Sequence, residues 1–255
     1  MKFLTQALLA TTAALASISA PAAASDVSAD AEGWKYQHSV GQIRCNTEIF
    51  AMHWIGYTAT VFEQRDLVFA PGSFKELGEK RAAIQNCNFY LFGDKGEKVF
   101  KSKFWVVGQG GDKRHRRMSN VTNWAILKLK KPVPAWAQPV RGSRAATDLV
   151  GSDISIPVFE KFAKGSGSVE KHCVVEWVKD AGLNVQYQGC EMQGGGGGAP
   201  LVVKGEDGPV MIGMHTWQPE EKDVGYGVVF GEKLWEQFDK VLSTNEIGAI
   251  PEVTF

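Results

Sequence analysis

From about residue 40 to residue 230 the chain is a succession of short β-branched and aromatic runs cut by glycine, proline and Asn/Asp turns. Runs of that length and composition are strands, because branched and aromatic side chains suit a pleated, half-buried surface. Ile49–Trp54, Tyr57–Phe62, Asp66–Ala70, Phe104–Val107 and Trp124–Leu129 form a first group. Within that group Asn88–Phe92 turns through Gly93-Asp94-Lys95-Gly96 into Lys98–Phe100, a hairpin by its turn chemistry. A second group follows: Ile154–Phe159, Cys173–Val178, Val185–Gln188, Leu201–Val203, Val210–His215 and Tyr226–Phe230. Between them, Lys131–Pro139 carries Pro132, Pro134 and Pro139, and such a segment connects sheets without entering one. Only Gly231–Leu242 has helical periodicity, with Leu234, Trp235, Phe238, Val241 and Leu242 on one face. Two groups of strands, a proline-rich bridge and one closing helix predict an all-β fold of two packed antiparallel barrels. The first barrel with its connector spans 34–139, and the second with the C-terminal helix spans 140–255.

Ahead of the strands, Met1-Lys2 gives a short positive start, Leu8 to Ile18 is apolar, and Ala22-Ala23-Ala24 is a small-residue cleavage pattern. Residues 1–24 therefore read as a signal peptide, and 25–33, small, polar and acidic, as a flexible mature N-terminus. The apolar run is too short to span a bilayer, so neither a membrane anchor nor a membrane partner is expected. The four cysteines, Cys45, Cys87, Cys173 and Cys190, are even in number in an exported chain, which makes two disulfides the expectation. Three pairings are open; Cys45–Cys87 with Cys173–Cys190 is favoured because each bridge then staples one half. No CxxC spacing points to zinc, and no cofactor is implied. A formal net charge of zero gives no global pull toward nucleic acid.

The most unusual stretch is Cys190-Glu191-Met192-Gln193 followed by five glycines and Ala199-Pro200-Leu201-Val202-Val203. A flexible linker would not run straight into a strand, so the glycines belong to a tight turn with exposed N–H groups. Gly195-Gly196-Gly197-Gly198-Ala199-Pro200 is similar to the Gly-Asp/Asn-Ser-Gly-Gly/Ser-Pro nucleophile loop of trypsin-like, chymotrypsin-fold serine proteases. Tyr57–Val61 with Leu67-Val68-Phe69-Ala70-Pro71-Gly72-Ser73-Phe74 resembles that family's strand and Thr-Ala-Ala-His-Cys turn. Asn123-Trp124-Ala125-Ile126-Leu127-Lys128-Leu129 resembles its aspartate-bearing strand. The resemblance covers nearly all of the chain after residue 24, in order, and implies two six-stranded barrels. It also places the triad positions on Gly72, Asn123 and Gly197, all three substituted. Gly195 and Gly197 fall on its oxyanion-hole donors. Glycine offers no nucleophile, Gly72 no base, and Asn123 no carboxylate to stabilise an imidazolium.

Ile212-Gly213-Met214-His215 is similar to the Ile-Gly-Ile-His strand of the glutamate-preferring bacterial branch, where that histidine lines the pocket for an acidic side chain. A partly charged imidazole at His215, beside Gly213, would suit a carboxylate; the competing reading is an edge-strand histidine beside Trp217. His53, His38 and His172 sit in surroundings that carry no catalytic pattern, and Ser73 has no base in reach. The basic run Lys113-Arg114-His115-Arg116-Arg117 reads as a solvated loop tip, and Trp105, Trp124 and Trp177 as core residues. The resulting expectation is a secreted or periplasmic, monomeric protease homologue without peptidase chemistry. It would hold a peptide or protein in the cleft between its barrels. The alternatives are an active endopeptidase with unrecognised catalytic residues and a purely structural interaction protein.

Overall fold

The computed structural model describes residues 36–47, 54–72, 84–93, 95–109, 124–144, 148–159, 169–179, 184–192, 196–219 and 223–243. The expected signal peptide 1–24, the segment 25–33, His53, Ser73, the basic run 113–117, Asn123 and Gly195 lie outside them.

A short 3-10 helix, Tyr36–Ser39, leads into the first sheet. Its strands are β1 (Val40–Thr47), β2 (Trp54–Val61), β3 (Leu67–Pro71), β4 (Ile84–Phe92), β5 (Lys98–Ser102), β6 (Phe104–Gln109) and β7 (Trp124–Leu129). They lie in the order β5-β4-β1-β2-β3-β7-β6, with every pairing antiparallel. Only Lys103 separates β5 from β6, and the two pair with β4 and β7 respectively, at opposite ends of that order. Counted as one bent strand, β5–β6 closes the sheet into the six-stranded barrel the resemblance implies. Sequence periodicity did not single out β1: polar Gln42 and Arg44 share the face of Val40, and the opposite face offers only Gly41, Ile43 and Cys45.

The second sheet comprises β8 (Arg141–Gly142), β9 (Asp153–Val158), β10 (Val169–Lys179), β11 (Asn184–Gln188), β12 (Pro200–Gly205), β13 (Gly208–Trp217) and β14 (Val224–Val229). Because β12 pairs with both β9 and β13, six of these strands form a closed ring, and β8 is a two-residue parallel addition to β13. The helix α1 (Glu232–Ser243) follows and buries Leu234, Trp235 and Phe238. Of the connector, Val133 and Ala137 are fully buried against the first barrel, so the proline-rich segment is packed along its surface.

Each barrel has its own core, one built around Ile43, Phe89 and Leu127, the other around Ile154, Ile156 and Tyr187. A third cluster joins them: Phe62 and Phe69 from the first, Met211, Met214 and Phe230 from the second, and Trp235 and Phe238 from α1. Phe62 and Phe238 rings lie 4.6 Å apart, and both side chains are fully buried. Each such aromatic contributes about 2–3 kcal/mol of burial, enough that the barrels are fixed to one another. Both sheets belong to one compact unit, Trp34–Phe255. Two disulfides staple it in the favoured pattern, Cys45–Cys87 between β1 and β4 and Cys173–Cys190 from β10 to the segment that follows β11.

Candidate functional site

The glycine run reaches the barrel interface as a tight turn. The Ala199 N–H donates to Gly196 O at 2.9 Å, and Gly198 has φ +91, so Gly196–Ala199 is a turn with its left-handed residue at the third position. That position admits glycine without strain and little else. The turn is held from both sides. Gly198 N–H donates to His215 O at 2.9 Å and His215 N–H to Ala199 O at 2.7 Å, while Thr58 N–H on β2 donates to Gly197 O at 3.1 Å. The last bond crosses from the first barrel to the second. Thr58 Oγ1 makes another crossing, accepting from Phe159 N–H at 3.3 Å.

Close packing completes the seat. A Cβ on Gly198 would lie 2.1 Å from Thr58 O and 2.5 Å from Pro71 Cδ. The turn therefore rests against the end of β3, where half-buried Gly72 follows Pro71. Trp124, the first residue of β7, pairs with Pro71 from the other side. The glycine turn, the end of β3 at Pro71-Gly72 and the start of β7 at Trp124 thus converge among the described residues. At Gly197 the environment is the opposite of that at Gly198: a Cβ there would meet nothing within 4 Å. Its N–H has no acceptor among the described residues. The position is an open crown with room for a side chain it does not carry.

His215 lies behind this turn, not at its mouth. The ring is 4% exposed, and its Nε2 edge faces Gly196. The fully buried Tyr187 hydroxyl is hydrogen-bonded to its Nδ1. Burial pushes Tyr187 well above its ordinary range, so it keeps its proton and donates, leaving the imidazole proton on Nε2. Burial also lowers His215 to about 3. The partial positive charge expected of His215 is therefore corrected: the ring is neutral near pH 7, because no charge partner offsets its desolvation. Nor is it on a sheet edge, since β13 has β14 on one flank and β12 on the other. Gly213, two residues earlier, answers to packing, as a Cβ there would lie 2.0 Å from Val228 O on β14.

Beside His215 stand residues to which the sequence analysis gave no role. Met192 is 8% exposed, and its sulfur lies against Gly196. Gln218 braces that segment, accepting from Met192 N–H at 3.0 Å and donating to Cys190 O at 3.4 Å. Tyr187, Met192 and Gln218 carry no motif; Thr58 lies in the strand Tyr57–Val61, where Thr60 is equally polar, so nothing local marks it. Among the described residues there is no group of His, Cys, Asp and Glu that could hold a metal.

No protein-family model matches the chain, and no curated protein matches it. Solved structures do. A thermostable serine protease, AL20, from an extremophilic microorganism is 15% identical with a TM-score of 0.62, covering 82% of this chain and 99% of its own. A Glu endopeptidase solved in complex with MPD is 11% identical with a TM-score of 0.62, covering 81% and 91%. The protease Anisep from Arthrobacter nicotinovorans is 11% identical with a TM-score of 0.59, covering 81% and 96%. Identities this low speak to fold alone. Two barrels, their bent closing strand and the terminal helix together make this the chymotrypsin-like fold of serine proteases.

Proposed function

We propose that the chain is an exported, monomeric member of the trypsin-like family, related to its glutamate-preferring branch, that has lost peptidase chemistry and acts by binding. A peptide or protein segment is held between the barrels with its backbone against the glycine turn. The observation that carries this reading is the crown at Gly197: an open position and an N–H without an acceptor among the described residues, seated beside Pro71-Gly72. A backbone N–H preorganised in a groove donates to a carbonyl or carboxylate oxygen. Chemistry is another matter, since acyl transfer needs a nucleophile, a base and a group that orients the base. Gly197, Gly72 and Asn123 supply none of the three. His215 does not substitute as base, being buried, neutral and engaged by Tyr187. With His215 buried, uncharged and flanked by Met192, recognition rests on the peptide backbone more than on an acidic side-chain pocket. The two disulfides fit an oxidising compartment, as export requires.

Incubation of the purified protein with casein and with a fluorophosphonate probe tests the reading. Neither hydrolysis nor labelling is expected, and Gly197→Ser alone stays inactive because no base adjoins it. Stoichiometric labelling of the unaltered protein would sink the proposal in favour of an active endopeptidase.

A further inference from the structure

The charge of this chain cancels only in the sum. Residues 34–139 carry 17 Lys and Arg against 8 Asp and Glu, net +9, whereas residues 140–255 carry 10 against 17, net −7. The first barrel is thus strongly basic inside a neutral protein, and part of that charge is gathered on one face. A row crosses four strands in register, from Thr58 on β2 and Gln42 on β1, both buried, to half-buried Tyr90 on β4 and exposed Lys101 on β5. Beside it, Phe92 pairs with Lys98. Lys98 Nζ lies 4.9 Å and Lys101 Nζ 5.8 Å from the centre of the Tyr90 ring. Arg44 Cζ lies 5.9 Å from the same ring and 4.8 Å from that of Phe92. Neither lysine has a carboxylate partner among the described residues. Lysines on an edge strand are a common guard against edge-to-edge pairing, and that alone would account for Lys98 and Lys101 on β5. It does not account for their convergence, with an arginine two strands in, on one half-buried aromatic ring. Like charges drawn together repel, and an anion relieves them.

We propose that this face, made by Arg44, Tyr90, Phe92, Lys98 and Lys101, docks an acidic polypeptide segment lying extended along β5. Two features favour polypeptide over other polyanions. The barrel closes through β6, and among the described residues β5 itself pairs with β4 alone, so the other flank of its backbone has N–H and C=O groups that a further peptide strand can use. A long nucleic acid or sulfated glycan would overrun the patch onto the acidic second barrel and be repelled there. The row starts at Thr58, the residue bonded to Gly197, so the face adjoins the cleft. It does not depend on the cleft binding anything.

The test measures fluorescence anisotropy of a labelled short peptide of alternating Glu and Val, with a Lys–Val peptide as control, at about 20 mM and about 300 mM salt. Saturable binding of the acidic peptide alone is expected, weakened by salt. It should weaken by at least about tenfold in K98E/K101E and by less in K98Q/K101Q, both melting like the parent protein. Gly197→Glu should leave this binding in place. If Gly197→Glu abolishes it and the lysine variants do not, the peptide sits in the cleft and the face is refuted while the cleft reading stands. If no variant matters, or the peptide does not bind, the face is refuted as well. Equal binding of a charge-matched single-stranded DNA or heparin fragment would replace acidic peptide by polyanion in general. Salt-sensitive dimers in sedimentation velocity, lost in K98E/K101E, would make the partner a second copy of this chain.

Discussion

Two neighbouring glycines in one turn should answer substitution by alanine in opposite ways. At Gly198 an added methyl meets Thr58 O at 2.1 Å and Pro71 Cδ at 2.5 Å, and φ is +91. The left-handed backbone alone costs a residue with a Cβ about 1–2 kcal/mol. Forcing the turn away from β2 and β3 adds overpacking of about 1–3 kcal/mol, because one obstacle is backbone and the other a proline ring. Displacement would also stretch the Thr58 N–H to Gly197 O bond across the barrels. A total near 3 kcal/mol lowers Tm by roughly 6–12 °C for a chain of this length. At Gly197 nothing lies within 4 Å of the new methyl and φ is outside the left-handed region. Alanine there should be neutral, or stabilising by up to about 1 kcal/mol through the stiffer unfolded chain. Equilibrium urea unfolding of G198A and G197A, with slopes compared to the parent, measures both. Should G198A unfold within about 0.5 kcal/mol of the parent, the turn is not seated on Thr58 and Pro71. Should G197A cost as much as G198A, the crown is not open, and the site as described falls with it.

Three further outcomes can be measured. Removing Cys45–Cys87, which closes a 42-residue separation, should cost about 4 kcal/mol by chain entropy, and removing Cys173–Cys190, which closes 17, about 3 kcal/mol. Paired serine variants in denaturant melts report the order, and a reversal would refute the chain-entropy account. His215 is held near 3 in the folded chain against about 6.5 unfolded, so the unfolded state binds more protons below pH 6.5 and stability falls as pH falls from there toward 3. The loss at pH 5 is about 2 kcal/mol, and H215N should flatten that slope; an unchanged slope means His215 is not the titrating group. Phe238→Ala should cost about 3–5 kcal/mol in thermal unfolding, since the ring fills the three-way contact of both barrels and α1. A loss under about 1 kcal/mol would mean that the barrels do not depend on the helix.

What the sequence disclosed and what it withheld divide along contact distance. Most strands of both groups, though not β1 or the two-residue β8, the helical face of Leu234, Trp235 and Phe238, and the favoured disulfide pairing depend on local periodicity or on which half a cysteine belongs to, and are legible in a single chain. Of the expected strand Ile49–Trp54, residues 49–53 lie outside the described residues. The protonation state of His215 is not legible in this way, because burial sets it, and that burial arises only once the barrel brings in neighbours distant in sequence, such as Tyr187, 28 residues away, and Met192. Residue type alone assigns such a histidine a charge that burial removes. Thr58 is hidden for the same reason, its partner Gly197 being 139 positions on. The charge segregation between barrels was concealed by a total of zero until a boundary divided the sum. The glycine run makes the sharpest case, since five identical letters hide different physical demands. Gly198 is glycine because φ, Thr58 O and Pro71 leave room for nothing else. Gly197 is glycine although its backbone and its surroundings would accept a side chain. A turn that needs glycine at Gly198 and merely has it at Gly197 leaves a backbone donor at an open position, and on the binding proposal that donor is what a ligand would use.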